Sequence, residues 1–323
     1  MNKLFAVVVV CYALVFSACT SSKKELRSGN PLFDTPFTAD PAVLVYNDTL
    51  YLFTGSDEQV EGTDGFVMHK WYVFSTPDMV NWTNHGVKLS VADFEWAAAN
   101  AFAGHCVENH GKFWWYVPMV HKDPAARVNE GFAMGVAVAD HPLGPYRDPL
   151  GRPIIADTTA NSIVLNIDPA VYVDDDEQVY FFWGSWGEVR SVKLKSNMTE
   201  LAGPVENIAG LSNFFEAPWV HKRNDTYYMS YAAGYPSRTE YATAQSINGP
   251  WEYRGVINDT LSNSPTNHQA IVHFKGNDYF FYHNAEAPGG GPYRRSVCVD
   301  KLVYDENGLI EKVVRTSEGV PAI

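Results

Sequence analysis

The chain has 323 residues, 46% of them hydrophobic and 14% aromatic, which is enough for a large core and excludes a disordered chain. With 37 acidic against 24 basic side chains the net charge is -13, which argues against nucleic acid or an anionic membrane surface as the main partner. A neutral ligand such as a sugar is easier to accommodate.

Residues 1–18 have the order of a bacterial signal peptide: Lys3, an apolar run from Leu4 to Phe16, then small residues before Cys19. The stretch ending at Cys19 is similar to a lipobox, although Phe16 stands where a smaller aliphatic is usual. The expectation is a lipidated Cys19, a polar tether over residues 19–30, and export to the cell envelope on its periplasmic face or its surface. An ordinary secretory signal with an incidental cysteine is the alternative. Cys106 and Cys298 remain in the mature chain, too few for a disulfide framework, and buried thiols or one bridge both fit.

From residue 31 to 323 the chain repeats a pattern. Segments begin at Asp40, Ala103, Asp168, Glu216 and His268, and each runs through a few apolar residues, a polar turn and an aromatic strand. The aromatic strands include Leu50-Tyr51-Leu52-Phe53, Phe113-Trp114-Trp115-Tyr116 and Tyr279-Phe280-Phe281-Tyr282. The turns are rich in residues that tolerate tight backbone angles, such as Asn47-Asp48, His110-Gly111 and Asn224-Asp225, so each segment opens with a β-hairpin. Second turn signals, among them Thr76-Pro77-Asp78 and Gly249-Pro250-Trp251, add another pair of strands. Five units of about four strands describe an all-β, five-bladed β-propeller filling residues 31–323, and a monomer is expected. A sandwich would not explain five hairpins with a shared anchor.

Three of the anchors are acids. Asp40 and Asp168 each precede Pro-Ala-Val, and the proline biases each Asp towards extended geometry at a strand start. One such acid would be read as a cap or turn residue. Three at equivalent places in a ring of blades converge on one channel, and convergent carboxylates suit glycoside hydrolysis, which needs one carboxylate ionised and one carboxyl protonated. Glu216 lies among Phe214, Phe215, Ala217, Pro218 and Trp219, so desolvation favours its neutral form and marks it as the general acid.

The Phe37-Thr38-Ala39-Asp40-Pro41 opening, Asp168-Pro169-Ala170-Val171, Glu216-Ala217-Pro218 and Asn267-His268-Gln269-Ala270 together resemble glycoside hydrolase family 43. The resemblance covers essentially the whole chain after residue 30. It implies Asp40 as general base, Asp168 as the residue that raises the acid's pKa and orients it, and Glu216 as acid. It also implies inversion, with base and acid about 6.5–9.5 Å apart around a water. His268 falls on the family's central histidine, which lies beside calcium in many members, often through water, and a structural Ca2+ in the central channel is expected on that ground. Arg295 falls on an arginine that contacts the sugar. Phe37, Trp96, Trp186 and His283 are further candidate sugar contacts, although Trp96 and Trp186 equally suit packing between blades.

The resemblance implies an exo-acting enzyme releasing a terminal pentose, first α-L-arabinofuranose, from plant cell-wall arabinoxylan or arabinan. β-Xylosidase and endo-arabinanase of the same family are alternatives, and a non-catalytic glycan-binding lipoprotein is the alternative of a different class. The second repeat departs from the family, reading Phe102-Ala103-Gly104-His105-Cys106 where Trp-Ala-Pro is common. Arg147-Asp148-Pro149 echoes the related fructan-cleaving propellers, but no Glu-Cys pair accompanies it and it reads as a loop.

Overall fold

A computed structural model describes residues 29–323 apart from 59 and 61. The signal peptide and Cys19 lie outside the described residues.

The described residues form five antiparallel sheets. Blade one consists of β1 (Thr38–Tyr46), β2 (Thr49–Ser56), β3 (Lys70–Thr76) and β4 (Thr83–Ser90). Blade two holds β5 (Ala97–Ala99), β6 (His105–Asn109), β7 (Lys112–His121) and β8 (Phe132–Ala139). Blade three holds β9 (Ala170–Val173), β10 (Val179–Ser185), β11 (Glu188–Leu194) and β12 (Glu206–Asn207). Blade four holds β13 (Phe214–Arg223), β14 (Thr226–Ala233), β15 (Arg238–Ala244) and β16 (Glu252–Asn258). Blade five has β17 (Ala270–Phe274), β18 (Asn277–Asn284) and β19 (Ser296–Leu302).

The opening hairpins stand where the polar turns predict them. Asn47 and Asp48, His110 and Gly111, and Lys275 and Gly276 all have positive φ, as a type I′ turn requires. Blade five differs from the expected four strands. Its outer edge is covered by the start of the described chain: the Leu32 amide donates to Val297 O at 2.7 Å, and the Val299 amide donates to Asn30 Oδ1 at 2.8 Å. The first residues thus lie against the last blade and close the ring. Asn30, placed at the end of the expected tether, is buried there.

Aromatic side chains fill the wedges between blades. Phe53 of blade one meets Trp115 of blade two at 4.8 Å, Tyr116 meets Phe181 of blade three at 5.1 Å, and Trp82 of blade one meets Phe281 of blade five at 6.3 Å. Burying one such ring contributes about 1.5–3 kcal/mol, so the alternation of aromatic residues on the second strands holds neighbouring blades together. Cys106 and Cys298 are both buried free thiols. Arg147 bridges Val138 on the outer edge of blade two, far from the channel in the topology, so the Arg-Asp-Pro triplet is indeed peripheral.

Register corrects the expected equivalence of the acids. Ala42, His105, Ala170, Trp219 and Ala270 each face the middle of the second strand, opposite Phe53, Tyr116, Phe182, Ser230 and Phe281. Two places before each stand Asp40, Ala103, Asp168, Ala217 and His268. Blade four therefore sets Ala217 at the anchor, and Glu216 one residue earlier. The backbone at the anchors is not extended either. Asp40, Asp168 and Ala217 have φ of 54, 58 and 58°, a left-handed conformation costing roughly 1–2 kcal/mol for a residue with a side chain. Each precedes a proline. The proline ring excludes the right-handed helical region, and the chain turns through the left-handed one, shifting register between Ala39 and Ala42 in β1 and around Glu216 in β13.

Candidate active site

These bends aim the acids at one cavity of about 510 Å³ at one end of the channel. Asp40, Asp168, Glu216, His268 and Arg295 line it, together with Trp186 at the rim. Its walls are apolar: Phe66, Met68, Phe102, Leu165 and Ile167. At the mouth Trp186 is 54% and Tyr235 63% exposed. Trp186 reaches the rim because it occupies the β10–β11 turn with φ of 52°, followed by Gly187 at 86°.

The opposite end of the channel is a separate cavity that shares none of these residues. Between them His105 stacks on Trp219, with ring centroids 4.6 Å apart and planes 14° from parallel. Both pair with the middle of their blade's second strand and neither lines the acid-bearing cavity, so the unusual second repeat supplies packing below that cavity. His105 Nδ1 accepts the Val171 amide proton at 3.0 Å, which requires a bare nitrogen, and burial, then the nearby His268, push its pKa down to about 3.

Inside the catalytic cavity the charges are arranged asymmetrically. Arg295 Nη1 donates to Asp40 Oδ1 at 2.9 Å, while its Nε and Nη2 donate to the two oxygens of Asp57 at 2.8 and 2.9 Å. The guanidinium also lies 4.5 Å from the Phe66 ring centroid. Asp168 Oδ2 accepts the Ala217 amide proton at 3.0 Å and so is tied to the residue next to Glu216. Gln269 holds the same alanine by its carbonyl at 2.8 Å.

Burial, then the charge of Asp40, pushes the Glu216 carboxyl up to about 8. Asp168 is likewise raised well above the usual carboxylate range by burial, then by Glu216 and Asp40. Like charges held close in a low dielectric cannot all ionise, so the pair retains a proton at neutral pH. That gives the cavity one carboxyl able to donate a proton beside another, Asp40, that receives hydrogen bonds from an arginine.

His268 Nδ1 lies 3.9 Å from Asp40 Oδ1 and 3.8 Å from Asp168 Oδ2. Burial lowers its pKa, so it stays neutral. A directly ligated calcium does not fit these residues. Calcium takes six to eight oxygens, whereas Asp40 is engaged by Arg295, Asp168 by the Ala217 amide, and the described residues contain no group of three His, Cys, Asp or Glu side chains placed to hold a metal.

Three expected sugar contacts lie off the cavity. His283 is fully buried beneath it, accepting the Asp40 amide proton at Nδ1 (3.3 Å) and facing Thr266 O with Nε2 (3.0 Å). Burial, then Arg295, lowers its pKa to about 3, consistent with a neutral ring that accepts at Nδ1. Trp96 is buried, stacked on His121 at 5.7 Å, because the short β5 folds it into blade two. Phe37 packs beside Gly289 in the loop after β18. Sequence reading missed Asp57, which follows the second strand of its blade and has no counterpart in the repeat of anchors. It also missed Phe66 and Tyr235, which sit in loops where the pattern carries no signal, and it took Phe215 on β13 only as an apolar neighbour of Glu216.

The profile of glycosyl hydrolases family 43 matches residues 28–310. An arabinoxylan arabinofuranohydrolase of Bacillus subtilis is 30% identical over 94% of this chain and 67% of its own length. A xylosidase/arabinosidase of Bacteroides ovatus is 32% identical over 85% of this chain and 94% of its own. Among solved structures, a compost-metagenome β-xylosidase/α-arabinofuranosidase bound to xylotriose, in a calcium-free form, superposes with a TM-score of 0.79 at 30% identity, covering 88% of this chain and 98% of that one. An α-L-arabinofuranosidase from Clostridium thermocellum gives 0.75 at 33% identity, covering 90% and 98%. A five-bladed propeller, a cavity of convergent carboxylates and a profile spanning nearly the whole described chain agree, and the chain belongs to glycoside hydrolase family 43.

Proposed function

We propose that this hydrolase is an inverting, exo-acting glycosidase that releases a terminal pentose, first α-L-arabinofuranose, from arabinoxylan or arabinan. The observation that carries it is the asymmetry of the cavity: Glu216 keeps a proton through burial and the charge of Asp40, while Asp40 faces Arg295 from the other side. Glu216 protonates the glycosidic oxygen as the bond to the leaving group breaks. Asp40 takes a proton from the water that attacks the anomeric carbon from the opposite face. Asp168 holds Glu216 in place through the Ala217 amide and, when ionised, opposes loss of its proton.

β-Xylosidase activity is the second reading. It is favoured by the double names of the Bacteroides relative and the compost structure, and by the latter's xylotriose. Calcium held through water beside His268, anchoring through a lipidated Cys19 and a monomeric state belong to the same proposal. Incubation with arabinoxylan, arabinan and xylo-oligosaccharides, with products identified by NMR, tests it. Release of arabinose or xylose supports the reading, whereas an inert wild-type protein that still binds glycans, or a Glu216→Ala variant with full activity, sinks it.

A further inference from the structure

A general acid fixes the direction in which its leaving group departs, because the proton must reach the departing oxygen from the acid's own side. Glu216 is on the first strand of blade four, and Asp40 is across the cavity on blade one. The glycan beyond the scissile bond therefore leaves over blade four or a neighbour.

A second cavity of about 500 Å³ opens between blades four and five. It forms where the β14–β15 turn, the segment before β17 and the β18–β19 loop meet. Tyr235 lines both cavities. On the far wall Tyr293 stands edge-on to Phe66 of the catalytic cavity, with centroids 4.8 Å apart and planes at 90°. The two spaces thus lie side by side and share an aromatic wall.

The chemistry of the second cavity is selective. In a chain of net charge -13, no acidic or basic side chain lines it. Its polar groups are the side chains of Ser262 and Asn263 and the two tyrosines, with proline and glycine backbone between them, while the buried Ser264 hydroxyl donates to Thr266 O at 3.0 Å. Asn263 Oδ1 accepts the Ala285 amide proton at 3.4 Å, which joins the two loops that form the walls. Neutral hydrogen-bonding groups beside exposed aromatic faces suit hydroxyl-rich, uncharged rings and offer nothing to a phosphate or a carboxylate.

We propose that this groove binds the leaving-group portion of the substrate, an uncharged oligosaccharide of more than one sugar unit, so that the enzyme grips the polymer it trims. The proposal rests on the glycosidase reading above.

Ser262→Trp would fill the groove from an exposed position, and Asn263→Ala would remove its side-chain amide. Both are compared with wild type on 4-nitrophenyl α-L-arabinofuranoside, whose leaving group ends at one ring, and on an arabinofuranosyl xylo-oligosaccharide. In Ser262→Trp, KM for the oligosaccharide should rise about tenfold, and in Asn263→Ala about threefold, with kcat and all aryl-glycoside kinetics within about twofold of wild type. Equal losses on both substrates would overturn the proposal, since the variants would then be disturbing the catalytic cavity. Unchanged kinetics on both would overturn it too. A wild type that cleaves neither substrate would fail the glycosidase reading itself, and the groove with it, a result distinct from an active enzyme indifferent to the substitutions.

Discussion

Asp57 grips Arg295 more fully than Asp40 does. It accepts from Nε and Nη2 at 2.8 and 2.9 Å and from the Arg295 backbone amide at 2.8 Å, whereas Asp40 receives Nη1 at 2.9 Å and Nη2 only at 3.4 Å. One positive charge is thus shared between two buried carboxylates, with Asp57 fixing the plane of the guanidinium and leaving one nitrogen turned to the reaction centre.

Removing Asp57 should therefore damage both stability and catalysis. Breaking one partner from a buried ion pair costs about 3–5 kcal/mol, and misplacing a positioning group by about 1 Å costs on the order of a hundredfold in rate. Asp57→Ala should lower the melting temperature and reduce kcat/KM by about a hundredfold, while Asp57→Asn should recover part of both. Calorimetry and steady-state kinetics on the two variants check this.

In the role proposed for it, Glu216 can donate a proton only while protonated. Its pKa is raised to about 8, so kcat/KM should hold through neutral pH and fall as pH rises through about 8. Glu216→Gln should lose about a hundredfold to ten-thousandfold on natural glycans but much less on an aryl glycoside with an acidic phenol, which departs without help. A pH profile on both substrate types measures it.

The rim aromatics should act on binding rather than chemistry. Trp186 is 54% exposed at a hairpin tip, outside the buried core. Trp186→Ala should raise KM about threefold to thirtyfold with little change in kcat or melting temperature, since a lost stacking contact is worth about 0.5–2 kcal/mol.

His221 gives a pH signature in folding. Its ring stacks on Tyr228 at 4.9 Å and bonds the Tyr304 hydroxyl at 2.7 Å, and burial, then Arg223, lowers its pKa to about 3. Between its ordinary value of 6.5 and about 3 the unfolded chain takes up a proton that the folded one refuses, so stability falls on acidification across that window. His221→Phe should reduce the slope of melting temperature against pH between those limits, leaving the part that the similarly buried His105 and His283 contribute. Differential scanning calorimetry from pH 7 to pH 4 compares the slopes.

The propeller was readable because its signals are local. Turn residues with positive φ and aromatic second strands recur once per blade, and neither depends on distant parts of the chain. Closure of blade five by residues 30–33 was hidden, because pairing of the two chain ends leaves no periodic trace. The three acids stood out through their neighbours, Pro-Ala-Val twice and the apolar run around Glu216. Their register did not, since a glutamate one residue before the anchor and an aspartate on it look alike until the strands are paired. Asp57 and Tyr235 were silent for a different reason: they reach the site from the ends of second strands, where the repeat carries polar residues of many kinds.

The central claim is that Asp40 activates a water opposite Glu216, and the configuration of the first product reports on it directly. Proton NMR during the first turnovers of an α-L-arabinofuranoside should show β-L-arabinofuranose appearing first, followed by mutarotation. If the α-anomer appears first, the configuration is retained and the role given to Asp40 is wrong.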